Sequence, residues 1–114
     1  MQFRGIVEHG AGRGRELGYP TANISIQDET ISGVYAARAT LNGEAPYPAA
    51  AFGDPSRGIL EAHLLDFSDD IYDMEITIEL LNKLRGSEAF PSDEVLKRQI
   101  ARDVAAVREY FDHV

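Results

Sequence analysis

The residues best suited to chemistry begin with the stretch GAGRGRELGYPTAN, residues 10–23. Glycines at 10, 12, 14 and 18 let backbone N–H groups converge on an anion, and Arg13 and Arg15 add positive charge. That is the make-up of a phosphate cradle, and equally that of an ordinary flexible loop. No Gly-Lys-Ser/Thr follows, so it is not a P-loop, and the glycine spacing fits neither the dinucleotide fingerprint nor the protein-kinase loop. Immediately afterwards Pro20 fixes a turn and sets Thr21 and Asn23 two residues apart, where an extended backbone projects both to one side. Their neutral, hard oxygens suit Mg²⁺ held together with substrate phosphates and water. A turn leading into a strand accounts for the same residues without a ligand.

The second feature is Glu61, in the mostly apolar run ILEAHLLDF of residues 59–67. A partly desolvated carboxylate on a strand can act as a general base. It can also be a plain solvated strand position, which is the commoner fate of a lone Glu. His63, on the same face, reads as a hydrogen-bonded structural histidine. His9 and His113 have no metal-ligand spacing with it or with each other, which argues against zinc.

Several short strands must hold these groups in place. Residues 3–9 are β-compatible, residues 23–26 form a second short piece, and residues 33–41 (GVYAARATL) alternate as a strand ending at Asn42-Gly43, a hairpin signal because both residues tolerate positive φ. Residues 59–67 and 71–81 form a second pair of strands, and in the latter Met74, Ile76, Ile78 and Leu80 oppose Asp73, Glu75, Thr77 and Glu79. After Pro91-Ser92 the apolar period changes, with Leu96, Ile100, Val104, Val107 and Phe111 three to four residues apart. That predicts one amphipathic helix, capped by Ser92 and begun by Asp93 and Glu94. The pattern implies an α+β domain: a small antiparallel barrel with a helix packed on it.

Composition narrows the function. At 114 residues the chain fits one domain, expected to span residues 1–114. Nineteen acidic against eleven basic residues give a net charge of −8, which repels a polyphosphate backbone and argues against nucleic acid or an anionic membrane as partner. The absence of cysteine excludes disulfides and thiolate chemistry and is compatible with a reducing cytoplasm. No apolar run approaches membrane-spanning length, and the first ten residues lack a secretory core, so a soluble, cytoplasmic monomer is expected.

The run GAGRGRELGYPTANI, then GVYA, EAHLLDF, IYD, LRGSEAF and SDEVLKRQIARD resembles the riboflavin kinase family, the module that also forms the C-terminal half of bifunctional FAD synthetases. The resemblance covers about residues 3–108 in the family's order, and PTAN after a glycine loop followed by E-x-H-L-L-D-F is specific as a combination. It implies a six-stranded antiparallel Greek-key barrel with a C-terminal helix, transferring the γ-phosphate of ATP to the ribityl 5′-hydroxyl of riboflavin to give FMN and ADP. Carried over by position, Gly12, Arg13, Gly14, Arg15 and Gly18 belong to nucleotide binding together with Thr21 and Asn23. The latter two also hold Mg²⁺, Glu61 is the base, and Arg85, Phe90 and the start of the last helix border the flavin. Thr21, Asn23 and Glu61 are expected to meet around one pocket at the barrel mouth.

This sequence departs from the family's pattern at the Gly53-Asp54-Pro55-Ser56 loop, which reaches Glu61 about five residues early. Asp73 replaces a usual glycine, and Ser87 stands where a glutamate is expected. An active kinase is the favoured reading. A flavin- or nucleotide-binding module with little or no turnover, either a sensor or one domain of a larger synthetase, is the alternative. A protein-interaction barrel would leave Thr21, Asn23 and Glu61 without a purpose.

Overall fold

Alternating apolar residues drive most of this chain into strands. A computed structural model describes residues 1–8, 17–67 and 71–113. Among them are β1 (Gln2–Ile6), β2 (Ala22–Ser25), β3 (Gly33–Leu41), β4 (Tyr47–Asp54), β5 (Ile59–Leu64) and β6 (Glu75–Arg85), followed by helix α1 (Asp93–Asp112). The strands form one antiparallel sheet in the order β1-β6-β3-β4-β5-β2. Its two outer strands come together where the Glu8 N–H donates to the Asn23 carbonyl at 2.8 Å, curling the sheet into a nearly closed barrel. The expected six-stranded barrel with a C-terminal helix is therefore present.

Period-two alternation decides what lies inside. Ile24, Leu60, Ile76 and Ile78 are fully buried in the barrel together with Ala37, Ala39, Ala49, Ala51 and Ala62. On the outer face Ala36 and Ala50 are register partners, and Val107 of α1 packs against them with Leu65. Two alanines at that crossing leave room for the helix to approach the sheet closely. Ser92 caps α1 by accepting the Val95 N–H at 3.3 Å, with Asp93 and Glu94 in the first turn where the helix dipole favours negative charge. Ile100 and Val107 are buried as the helical period predicts.

Turn chemistry also follows the sequence at Asn42 and Gly43, whose φ values of 49° and 74° make the β3–β4 hairpin. Three boundaries differ from the expected ones. The first strand ends at Ile6, because Val7 turns to exchange hydrogen bonds with Met74 and Asp73. The strand expected over residues 59–67 stops at Leu64. There Leu65 tucks under α1, and Asp66, at φ 58°, takes a bidentate bond from Arg108. The strand expected over 71–81 runs instead from Glu75 to Arg85. Residues 71–74 form a turn with Asp73 at φ 68°, and pairing with β3 continues to Arg85.

Candidate active site

The sheet register aligns five side chains on one face. Asn23 opposes Glu61, Glu61 opposes Phe52, Phe52 opposes Val34, and Val34 opposes Arg85, so one row crosses β2, β5, β4, β3 and β6. All five line a cavity of about 650 Å³, joined by Thr21, Arg57, Phe90 and, from α1, Leu96 and Ile100. Leu60 and Ala62, which flank Glu61 in sequence, point into the barrel core. The cavity therefore lies on the outer wall, between the sheet and the first turns of α1, and not in the barrel mouth as expected. Period two requires this, since a strand whose even positions fill the core sends its odd positions outward.

Thr21 and Asn23 both face the cavity, as their spacing predicts. Their segment is pinned from β5, where the His63 Nδ1–H donates to the Pro20 carbonyl at 2.8 Å and the Tyr19 ring stands edge-on to the imidazole at 5.4 Å. His63 is thus the hydrogen-bonded structural histidine that the sequence suggested. Gly18, at φ 90°, makes the turn that delivers Tyr19 to the cavity wall. Gly12, Arg13, Gly14 and Arg15 lie outside the described residues.

Asn23 is 7% exposed and the Glu61 side chain 24% exposed. Burial pushes the Glu61 carboxyl above the usual carboxylate range, and the Arg57 guanidinium, with Nη2 at 3.3 Å from Oε1, partly offsets it. Arg57 comes from the short β4–β5 turn, where Asp54 organises the loop. One Asp54 oxygen accepts from the Ser56 hydroxyl and N–H, and the other from Arg57 Nε at 2.8 Å. These bonds hold the Asp54 carboxyl below its usual range.

At the other end of the row Arg85 forms a bidentate pair with Asp103 of α1, at 2.9 and 2.8 Å, and lies 5.5 Å from the Phe90 ring centroid. Asp103 is only 3% exposed and also accepts from Gln99. Arg85 and Phe90 line the cavity, and the charged edge of Arg85 is engaged with the helix. Sequence reasoning missed Tyr19, Phe52, Asp54, Arg57 and Asp103. Asp103 carried a signal, since it falls between Ile100 and Val107 on the apolar stripe and a buried carboxylate there requires a cation. Phe52 became visible only through register, and Arg57 only through its bonds to Asp54 and Glu61.

Neutral oxygens from Thr21 and Asn23 suit a divalent cation that arrives with phosphates, because they supply ligands without supplying charge. Among the described residues no group of three or more His, Asp or Glu forms a self-sufficient metal site. The neutral oxygens of Thr21 and Asn23 fit Mg²⁺ bound jointly with a nucleotide.

The fold and this wall together define a small antiparallel barrel with an apolar interior and a polar and aromatic cleft on its outer wall, beside the helix. The riboflavin kinase (flavokinase) family model matches residues 1–111, and the chain belongs to that family. A bifunctional riboflavin kinase/FMN adenylyltransferase of Escherichia coli K12 is 41% identical over 115 residues, covering 94% of this chain and 37% of the relative. A riboflavin kinase from Trypanosoma brucei superposes with a TM-score of 0.74 at 25% identity, covering 97% of this chain and 76% of that one. A Streptococcus pneumoniae chain described as a macrolide-efflux protein gives a TM-score of 0.79 at 32% identity, covering 94% of this chain and 38% of that one. The chain thus spans little more than a third of the bifunctional bacterial relative.

Proposed function

We propose that this domain phosphorylates riboflavin at the ribityl 5′-hydroxyl, using ATP and giving FMN and ADP. The observation that carries the reading is the register pairing of Asn23 with Glu61, with Thr21 beside them on the wall of one cavity. Phosphoryl transfer needs alignment and charge neutralisation more than covalent catalysis, so this wall holds a sufficient set of groups.

The chain's residues divide the work. Thr21 and Asn23 would hold Mg²⁺ together with the nucleotide phosphates, and that ion would supply neutralisation of the charge on the transferred group. Glu61 accepts a hydrogen bond from the 5′-hydroxyl and takes its proton as the oxygen–phosphorus bond forms and the γ-phosphate bond to ADP breaks. Burial makes this carboxylate a stronger acceptor than one in water. Phe90, Leu96 and Ile100, with Arg85 behind Phe90, give the flat apolar flank against which the flavin ring rests. Gly12, Arg13, Gly14, Arg15 and Gly18 belong to the nucleotide end.

The rest of the reading is a monomeric cytoplasmic module of residues 1–114 that uses no nucleic acid or membrane, in keeping with its net charge of −8. Among the described residues no helix is long and apolar enough to cross a membrane. Incubation with riboflavin, ATP and Mg²⁺, followed by chromatographic separation of flavins, tests the activity. FMN formation is expected. Saturable flavin binding without FMN would favour the non-turnover module instead.

A further inference from the structure

Arg57 is held in an unusual way for a residue of an exposed turn. The β4–β5 connection spans only Pro55, Ser56, Arg57 and Gly58, and Gly58 takes φ 63°, a left-handed value that closes the turn tightly. Asp54 fixes the turn from its start through Ser56 and grips Arg57 Nε at 2.8 Å. The far end of the same guanidinium then reaches Glu61 Oε1 at 3.3 Å, inside the cavity wall. A planar guanidinium presents donors along two edges in fixed geometry, so it can be anchored at one edge and direct a carboxylate with the other.

We propose that Arg57 is a positioning residue for phosphoryl transfer: anchored by Asp54, it fixes the orientation of the Glu61 carboxylate on the cavity wall relative to the acceptor hydroxyl. This rests on Glu61 being the base. A side chain with three rotatable bonds otherwise samples several orientations, and a misplacement of about 1 Å is enough to cost about 100-fold in rate. The groups around Glu61 are consistent with this division of labour. Asn23 faces it from β2, Phe52 from β4, and Arg85 and Glu88 line the distant side of the cavity. The Arg57 guanidinium is already joined to both Asp54 and Glu61, so orientation of the base is the role its contacts support.

The test is a double-mutant cycle in kcat for FMN formation, with Glu61→Asp as the second site because it retains a carboxylate but withdraws it from the Arg57 contact. Arg57→Gln is expected to lower kcat roughly 10- to 100-fold. Riboflavin KM should stay within about twofold, the signature of an interaction made in the transition state rather than in binding. Arg57→Lys, which keeps one cationic donor, recovers part of the loss. In the Glu61→Asp background, Arg57→Gln should cost less than about threefold, because it acts through the group already displaced.

Independent losses that multiply in the double variant would overturn the proposal, as would an effect confined to KM or an Arg57→Lys variant no better than Arg57→Gln. Should Arg57→Gln fail to fold, Arg57→Lys carries the same cycle with a smaller loss. If Glu61→Asp and Glu61→Gln turn over like the parent, Glu61 is not the base, and both readings fall in a way distinct from multiplicative losses.

Discussion

Asn23 and Glu61 are direct register partners across the β2–β5 pair, on the outward face of a wall whose alternate residues fill the barrel. A carboxamide and a carboxylate far apart in the chain therefore share a cavity without any loop having to bring them together. This places the candidate base on rigid backbone, where orientation costs little entropy at the moment of reaction.

Glu61 is charged at a cost, since burial raises its pKa above the unfolded value. A raised carboxyl pKa destabilises the fold above that pKa and contributes nothing at low pH, where both states are protonated. Glu61→Gln should therefore raise the melting temperature at pH 7. The difference should vanish below about pH 4, near the unfolded pKa of a glutamate. Thermal melts of the two proteins across pH check this, and a less stable Gln variant at pH 7 contradicts it.

Thr21 contributes a neutral oxygen to the cavity wall from a segment pinned by His63. Thr21→Ala should raise the Mg²⁺ concentration needed for half-maximal FMN formation about tenfold or more, and Thr21→Ser should leave it near the parent's. Mg²⁺ titrations at saturating riboflavin give the answer.

The Arg85–Asp103 pair ties the end of β6 to α1. With Asp103 buried, Asp103→Ala removes the partner of the half-buried Arg85 guanidinium and should destabilise the fold by about 1–3 kcal/mol. The same change loosens the Phe90 side of the cavity, so riboflavin KM should rise in the folded fraction. Urea unfolding measures the first effect and steady-state kinetics the second.

Much of the fold was legible because period two and period 3.6 are written into residues 33–41, 75–81 and 96–111. The PTAN spacing and the lone mid-strand glutamate likewise gave the polar end of the cavity. What escaped depends on pairing between distant strands. The alternation around Glu61 says that it faces away from Leu60 and Ala62, but only register says that Phe52 and Asn23 are its neighbours. The strand over 71–81 was misplaced because the apolar Ile71 and Tyr72 look strand-like, while the turn is set by Asp73 at φ 68°, where a glycine is commoner. The outer-wall position of the cavity followed from the alternation and was hidden only by the assumption that a barrel binds at its mouth.

Asp66 offers a pH test remote from the site. Its two bonds from Arg108 hold the Asp66 carboxyl below the usual range, so the folded pKa lies under the unfolded one. The contribution is present above the unfolded pKa and is lost as pH falls through the folded value. Asn tolerates the left-handed backbone at this position as Asp does, so Asp66→Asn isolates the charge. Its melting temperature should lie slightly below the parent's at pH 7, and the difference should shrink as the medium is acidified.

The most direct measurement is the single-turnover rate of FMN formation by Glu61→Gln against the parent, with riboflavin binding followed in parallel by fluorescence quenching. Loss of the base should slow the chemical step by at least about 100-fold while riboflavin affinity stays within a fewfold. A Gln variant that makes FMN at the parental rate would contradict the account.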